Sequence, residues 1–192
     1  MKKLFTYIFA VAALIFLFVI MPGYRLTPES AAKVHSFLPK TAHLAKEYRT
    51  SMGNVFIYRV ENYYLTIVPQ KVGPLWIARE SVSSESINDK SDKVRTIGLY
   101  SSGGNGRIGM IMVVDVQDPR VKYIEAGEAV QRIRKSIVPG EYVEFAWDKA
   151  YFPQDVNAIA LSEAGDELYG YNYGNVINFI DTSELRWHIV QK

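Results

Sequence analysis

Cysteine is absent from these 192 residues, and histidine occurs only three times. Without cysteine the chain forms no disulfide, offers no thiol nucleophile and has no site for lipid attachment at a leader cysteine. His35, His43 and His188 lie far apart in the sequence, so neither a zinc-type ligand set nor a Ser–His nucleophilic pair is expected. A G-x-S-x-G elbow and an EF-hand loop are both missing. Net charge is also scarce: 22 Lys+Arg stand against 20 Asp+Glu. Setting aside Lys2 and Lys3 leaves 20 against 20, so the chain from Pro22 onward is formally neutral. A nucleic-acid binder carries a marked basic excess, and that class is set aside.

Charge is missing altogether from residues 4–21, LFTYIFAVAALIFLFVIM, whose most polar member is Thr6. At a rise of about 1.5 Å per residue, a helix of this length nearly crosses a hydrocarbon core of about 30 Å. A cleaved leader has a shorter apolar region of about 7–15 residues, followed by small residues at the cut. This run ends Val19-Ile20-Met21-Pro22, and the small residues Ser30-Ala31-Ala32 come well after it. The expectation is an uncleaved transmembrane anchor, with a cleaved leader or a buried soluble helix as alternatives. Lys2 and Lys3 favour a cytoplasmic N-terminus, against a weaker pull from Arg25, Lys33 and Lys40. The expected organisation is a cytoplasmic tail (1–3), a transmembrane anchor (4–21), a juxtamembrane helix and connector (22–50), and an extracytoplasmic β-rich domain (51–192). A subdomain break is expected at 80–93. A cysteine-free exported domain suits a Gram-positive exterior.

Thr27-Pro28-Glu29 opens a helix: Thr27 caps, Pro28 fits the first helical position and Glu29 complements the dipole. Ala31, Val34 and Leu38 come next at helical spacing and Pro39 stops the run, which predicts a helix over 28–38. From Val55 the pattern becomes strand-like. NVFIYRV and YYLTIV flank Glu61-Asn62 as a hairpin, Val72-Gly73-Pro74 is a turn, and Leu75-Trp76-Ile77-Ala78 is a third strand. Residues 80–93, ESVSSESINDKSDK, are polar and Ser-rich and read as a solvated loop or linker.

Gly104-Asn105-Gly106-Arg107-Ile108-Gly109 spells G-x-G-x-x-G. The dinucleotide fingerprint requires a helix after it, so that the helix N-terminus meets the pyrophosphate. Here the run continues into IGMIMVVDV, a strand, so 101–107 is expected to be a Gly-rich hairpin loop and no cofactor is expected.

Asp118-Pro119 is a turn, and a short strand is expected over 121–125. The stretch 132–138 reads equally well as helix or strand. Arg132, Arg134 and Lys135 form a basic cluster, a solvated face balanced by Glu125 and Glu128 or a contact for wall-polymer phosphates or lipid headgroups. EYVEFAWD alternates, which places Val143, Phe145 and Trp147 on one face, with Ile159, Leu161 and Leu168 on the next two strands. NAIALS, the turn EAGD, and ELYGYN form a strand pair. Tyr169, Tyr171 and Tyr173 share a face, read as packing rather than as a sugar platform. Strands over 176–180 and 186–190 finish the sheet. The fold class expected is mainly β, an antiparallel β-sandwich or two packed antiparallel sheets, with an N-terminal transmembrane helix and a short juxtamembrane helix.

The opening Thr27-Pro28-Glu29 helix, the meander GNVFIYR…YYLTIVPQKVGPLWIA, then IEAG, VEFAWDKA and NAIALSEAGDELYGYNY, resemble small, uncharacterised membrane-anchored extracytoplasmic proteins of Bacillus-type Gram-positive bacteria. The strand pair over 158–172 is also similar to the final hairpin of immunoglobulin-like modules. The resemblance implies a cell-membrane location with the C-terminal domain outside, and carries no catalytic, metal or cofactor residue with it. Two function classes stay open. One is a non-catalytic binding or interaction module of the cell envelope, with another envelope protein, a peptide or a wall polymer as partner. The other is an envelope hydrolase with a carboxylate site drawn from Asp115, Asp118, Glu141, Glu144 and Asp148. Two close carboxylates in a deep cleft would mark the hydrolase.

Overall fold

In the computed structural model the described residues are 2–20, 23–84, 92–104, 106–128, 130–172 and 185–190, with side chains of the first helix described over 6–16. That helix is α1 (Lys2–Ile20). Its described side chains include Tyr7, Phe9, Leu14 and Phe16, all exposed. Among the described residues no helix is long and apolar enough to cross a membrane. The eleven residues 6–16 would cover only about 16 Å of rise.

The second helix is shorter than its spacing predicts. α2 (Pro28–Lys33) opens with a capping box in which Thr27 Oγ1 accepts from the Ser30 N–H and Ser30 Oγ accepts from the Thr27 N–H. It ends at Val34, whose N–H bonds back to the Ala32 carbonyl. Ala31 and Ala32 make its buried face, while Val34 is exposed, so the expected Ala31–Val34–Leu38 stripe does not form.

The rest is antiparallel β-structure, as expected for the fold class. A four-stranded sheet in the order β1-β2-β3-β6 combines β1 (His43–Thr50), β2 (Gly53–Arg59), β3 (Tyr64–Ile67) and β6 (Ser81–Ser83). β1 falls in the stretch expected to be connector: HLAKEYRT has charged residues on its outer positions, which masks a strand that buries only Tyr48. The β2–β3 hairpin forms with Arg59 opposite Tyr64, around the anticipated Glu61-Asn62 turn. β4 (Gln70–Val72) and β5 (Leu75–Ile77) make a small hairpin, with Gly73 at φ +58 in the turn. β6 arises inside the polar stretch 80–93, of which 85–91 lie outside the described residues.

β7 (Val94–Gly104), β8 (Arg107–Val116) and β11 (Val143–Trp147) form a three-stranded sheet in the order β11-β8-β7. A five-stranded sheet joins β10 (Ile133–Ser136), β9 (Tyr123–Ala126), β12 (Ile159–Leu161), β13 (Glu167–Asn172) and β14 (Arg186–Ile189), in that order. The ambiguous 132–138 stretch is therefore extended, at the edge of this sheet. The strand expected over 176–180 and the position of Tyr173 lie outside the described residues.

The three large sheets stack, which differs from a two-sheet sandwich. β8 explains why. Met110, Met112 and Val114 face one core, shared with Val143, Phe145, Ala160, Tyr169, Tyr171 and Trp187. Ile111 and Val113 face the other, shared with Tyr48, Val55, Ile57, Ile97 and Tyr100. A strand covered on both faces reads as a continuous apolar run, and MIMVV is one. β2 repeats the device: Val55 and Ile57 face the central sheet, while Phe56 and Tyr58 turn outward under Ala32 of α2. The order of layers is thus α2, four-stranded sheet, three-stranded sheet, five-stranded sheet.

Trp147 stacks on Phe145 at 5.8 Å between ring centroids, on the shared face expected from alternation. On β12 the face is other than expected: Ala160 points into this core and Ile159 is only half-buried. Ala160 shares this core with the bulky Phe145 and Met112, a large-with-small filling.

Candidate interaction site

Among the described residues, β6 is the last strand of the four-stranded sheet and pairs only with β3, and β7 is the last strand of the three-stranded sheet and pairs only with β8. These two sheet edges lie side by side, and an open groove of about 510 Å³ runs between them, lined by Glu80, Ser81 and Val82 on one side and Tyr100, Ser101 and Ser102 on the other. A second groove, of about 670 Å³, lies on the other side of β6 against Asn62, Tyr63 and Leu65. Phe37 and Ser81 line both grooves, so they meet at one point. Phe37 is 71% exposed there, an aromatic ring in water at the junction of two grooves.

The sequence places Phe37 by ending α2 early. His35, buried at 5% exposure, accepts the Phe37 N–H at Nδ1 (3.3 Å), which turns the chain and projects the ring outward. Burial lowers the His35 pKa, against a smaller upward push from a backbone hydrogen bond at Arg79. His35 is therefore a neutral structural acceptor at neutral pH.

The floor of the β6–β7 groove is a polar cluster. Glu80 accepts hydrogen bonds from the Tyr100 hydroxyl and from Arg107 Nη2 (3.1 Å). Arg107 also reaches the Val68 carbonyl at 3.4 Å. Burial, and then the bond to Glu80, raise the Tyr100 pKa, so the phenol stays protonated as a donor. Ser101 Oγ is committed to the Tyr151 carbonyl at 2.7 Å. The groove thus presents hydroxyls and two strand edges above an engaged ion pair.

Of the five carboxylates considered for hydrolysis, Glu141 and Glu144 line one pocket and the other three do not line it. Asp115 pairs with Arg95 at 3.1 Å. Asp118 is buried and held by Arg120 and by the Tyr169 hydroxyl. Glu141 and Glu144 share a shallow pocket of about 170 Å³ with Lys135, and Asp148 is exposed. The basic cluster is balanced as the solvated-face alternative has it, with a change of partners. Glu125 takes both Arg132 (3.3 Å) and Arg134 (2.6 Å), while Glu128 takes Lys149 (2.6 Å). Lys135 lies over the Phe145 ring at 5.5 Å. Tyr169 and Tyr171 are both core residues.

The G-x-G-x-x-G run is strand, turn, strand. Gly104 stands opposite Arg107 and closes the β7–β8 hairpin, with Gly106 at φ +73 in the turn. Gly109 is needed for a different reason: a Cβ there would meet the Trp147 carbonyl at 2.8 Å. Among the described residues no three of His, Cys, Asp and Glu gather as a metal site. His35, His43 and His188 lie after α2, on β1 and on β14. The groove itself was not legible in the sequence. Its walls come from segments more than fifteen residues apart, and the Ser-rich composition of 80–93 pointed only to solvent exposure.

No known protein family matches this chain, and no curated protein or solved structure is significantly similar to it.

Proposed function

We propose that this chain is a membrane-anchored, extracytoplasmic interaction module of the cell envelope, non-catalytic, that takes up an extended peptide segment of another envelope protein. The observation that carries the reading is the groove between the open edges of β6 and β7, with exposed Phe37 at its mouth. Each edge strand presents backbone groups on its free side, the arrangement used for strand addition, and an aromatic ring beside it supplies side-chain affinity. The anchor is supported by the uncharged run 4–21, by the exposed apolar side chains along the described part of α1, and by Lys2 and Lys3 before it. The alternative of a carboxylate hydrolase has less behind it, because Asp115 and Asp118 are each engaged by an arginine.

In-cell crosslinking tests this. A photo-reactive amino acid at Val82 or Phe37 should crosslink to a peptide segment identified by mass spectrometry. Ser81→Pro, which removes an N–H on the free side of β6, should abolish capture at position 37. Crosslinks that arise instead from β10 and ignore Ser81→Pro would defeat the groove reading. Protease added to intact protoplasts should degrade the β-rich domain, and full protection would overturn its placement outside.

A further inference from the structure

We propose that the β4–β5 hairpin and the segment after α1 form a seat for the β-rich domain on the lipid headgroup layer. This rests on the membrane-anchor reading given above. The segment after α1 is part of the domain rather than a linker to it. Arg25 and Trp76 exchange two backbone hydrogen bonds, Arg25 N–H to the Trp76 carbonyl at 2.8 Å and Trp76 N–H to the Arg25 carbonyl at 2.7 Å. Two residues earlier, the chain at Gly23 already lies against Ile77 of β5, where an added Cβ would stand 3.4 Å from that side chain.

Covalent geometry then limits where the hairpin sits. Ile20 ends α1 and Gly23 lies against β5, so only two residues, three steps along the chain, separate them. Three steps reach at most about 11 Å. The headgroup layer on one side of a bilayer is about 5–8 Å thick, the difference between a core of about 30 Å and a total of about 40–45 Å. A helix that ends at the edge of the hydrocarbon therefore holds the hairpin at the headgroups or within a few ångströms of their outer edge.

The surface chemistry fits that position. Leu26 is 71% exposed, and Val72, at the hairpin turn, is 44% exposed. Trp76 is half-buried with Lys71 Nζ over its ring at 5.9 Å. Tyr24 and Arg25 complete the set, with Arg25 Nη1 donating to the Tyr24 carbonyl at 2.7 Å. Tryptophan and tyrosine with lysine and arginine are the side chains that settle at the membrane–water boundary, and cations there gain from anionic lipid. Shallow insertion beneath the headgroups would bury the exposed Val72 and Leu26 side chains.

The cysteine-free chain allows a clean test. Full-length protein carrying Val72→Cys, or Ala164→Cys in the exposed turn between β12 and β13 as control, is labelled with an environment-sensitive fluorophore. Each is reconstituted into vesicles of phosphatidylcholine and phosphatidylglycerol containing a headgroup-proximal nitroxide lipid. Position 72 should be blue-shifted and quenched severalfold more than position 164. Protein that floats with the vesicles while position 72 is no more quenched than position 164 overturns the seat and leaves the anchor standing. Protein that fails to float overturns the anchor, and the seat with it.

Discussion

The phenol of Tyr169, on β13, donates a 2.7 Å hydrogen bond to the carboxylate of Asp118, in the turn after β8. Arg120 closes the other side of the same carboxylate, with Nη2 at 2.7 Å and Nε at 3.0 Å. The chain that leaves the central sheet is thereby pinned to the five-stranded sheet. The Asp118 side chain is almost fully buried, so a charged group in this position is tolerated only because its acceptor sites are filled.

Asp118→Asn should therefore cost about 1.5–3 kcal/mol through the weakened bonds of a buried acceptor. Its pH behaviour separates it from a generic core defect. The hydrogen bond from Arg120, with the one from Tyr169, outweighs burial and holds the carboxyl well below the usual carboxylate range. A folded-state pKa below the unfolded value of about 3.9 gives stabilisation that is complete above that value and lost as the pH falls below it. Denaturant melts of wild type should weaken from about pH 5 downward, and the Asn variant should show a flatter slope over the same range.

Phe145→Ala should cost about 3–5 kcal/mol, because the ring is fully buried between sheets. Trp147→Ala should cost less than Phe145→Ala, about 1–3 kcal/mol, since Trp147 is only half-buried and stacks at the edge of that core. Thermal melts of the two variants check the order. An unchanged melting temperature for Trp147→Ala would return that side chain to the list of ligand platforms.

Gly98 sits at an irregularity in β7, where a Cβ would come within 2.3 Å of Ile57 Cδ1. Gly98→Ala should destabilise by about 1–3 kcal/mol through overpacking between the central and four-stranded sheets. Ile57→Val removes the clashing methyl and should restore part of the loss when combined with Gly98→Ala. A double-mutant cycle measures that coupling, and additive losses would contradict the contact.

Purified protein should show no saturable NAD or ATP binding, because Gly104, Gly106 and Gly109 belong to a hairpin and to a close strand approach. Gly106→Ala should cost about 1 kcal/mol for the positive φ. Gly109→Ala should cost more, since its Cβ would strike the Trp147 carbonyl rather than open space. Micromolar nucleotide affinity, lost on substitution of Gly106, would argue for a phosphate loop.

Local chemistry in the sequence determined the local structure. Thr27-Pro28-Glu29 starts a helix, Gly106 lies in the turn of the β7–β8 hairpin, and alternation puts Phe145 and Trp147 on one face, because capping, turn geometry and strand period are properties of neighbouring residues. Tertiary structure decided what covers each face. MIMVV in β8 reads as a strand from the sequence, but only the packing of a sheet on each side makes it the centre of the fold. The inward choice of Ala160 over Ile159 is made in a core shared with β8 and β11, strands distant in the sequence. The β6–β7 groove depends on two sheet edges meeting, and the hairpin seat on Arg25 finding Trp76 across fifty intervening residues. Such contacts are set by which surfaces remain to be buried after the local elements form, and that is a property of the whole chain.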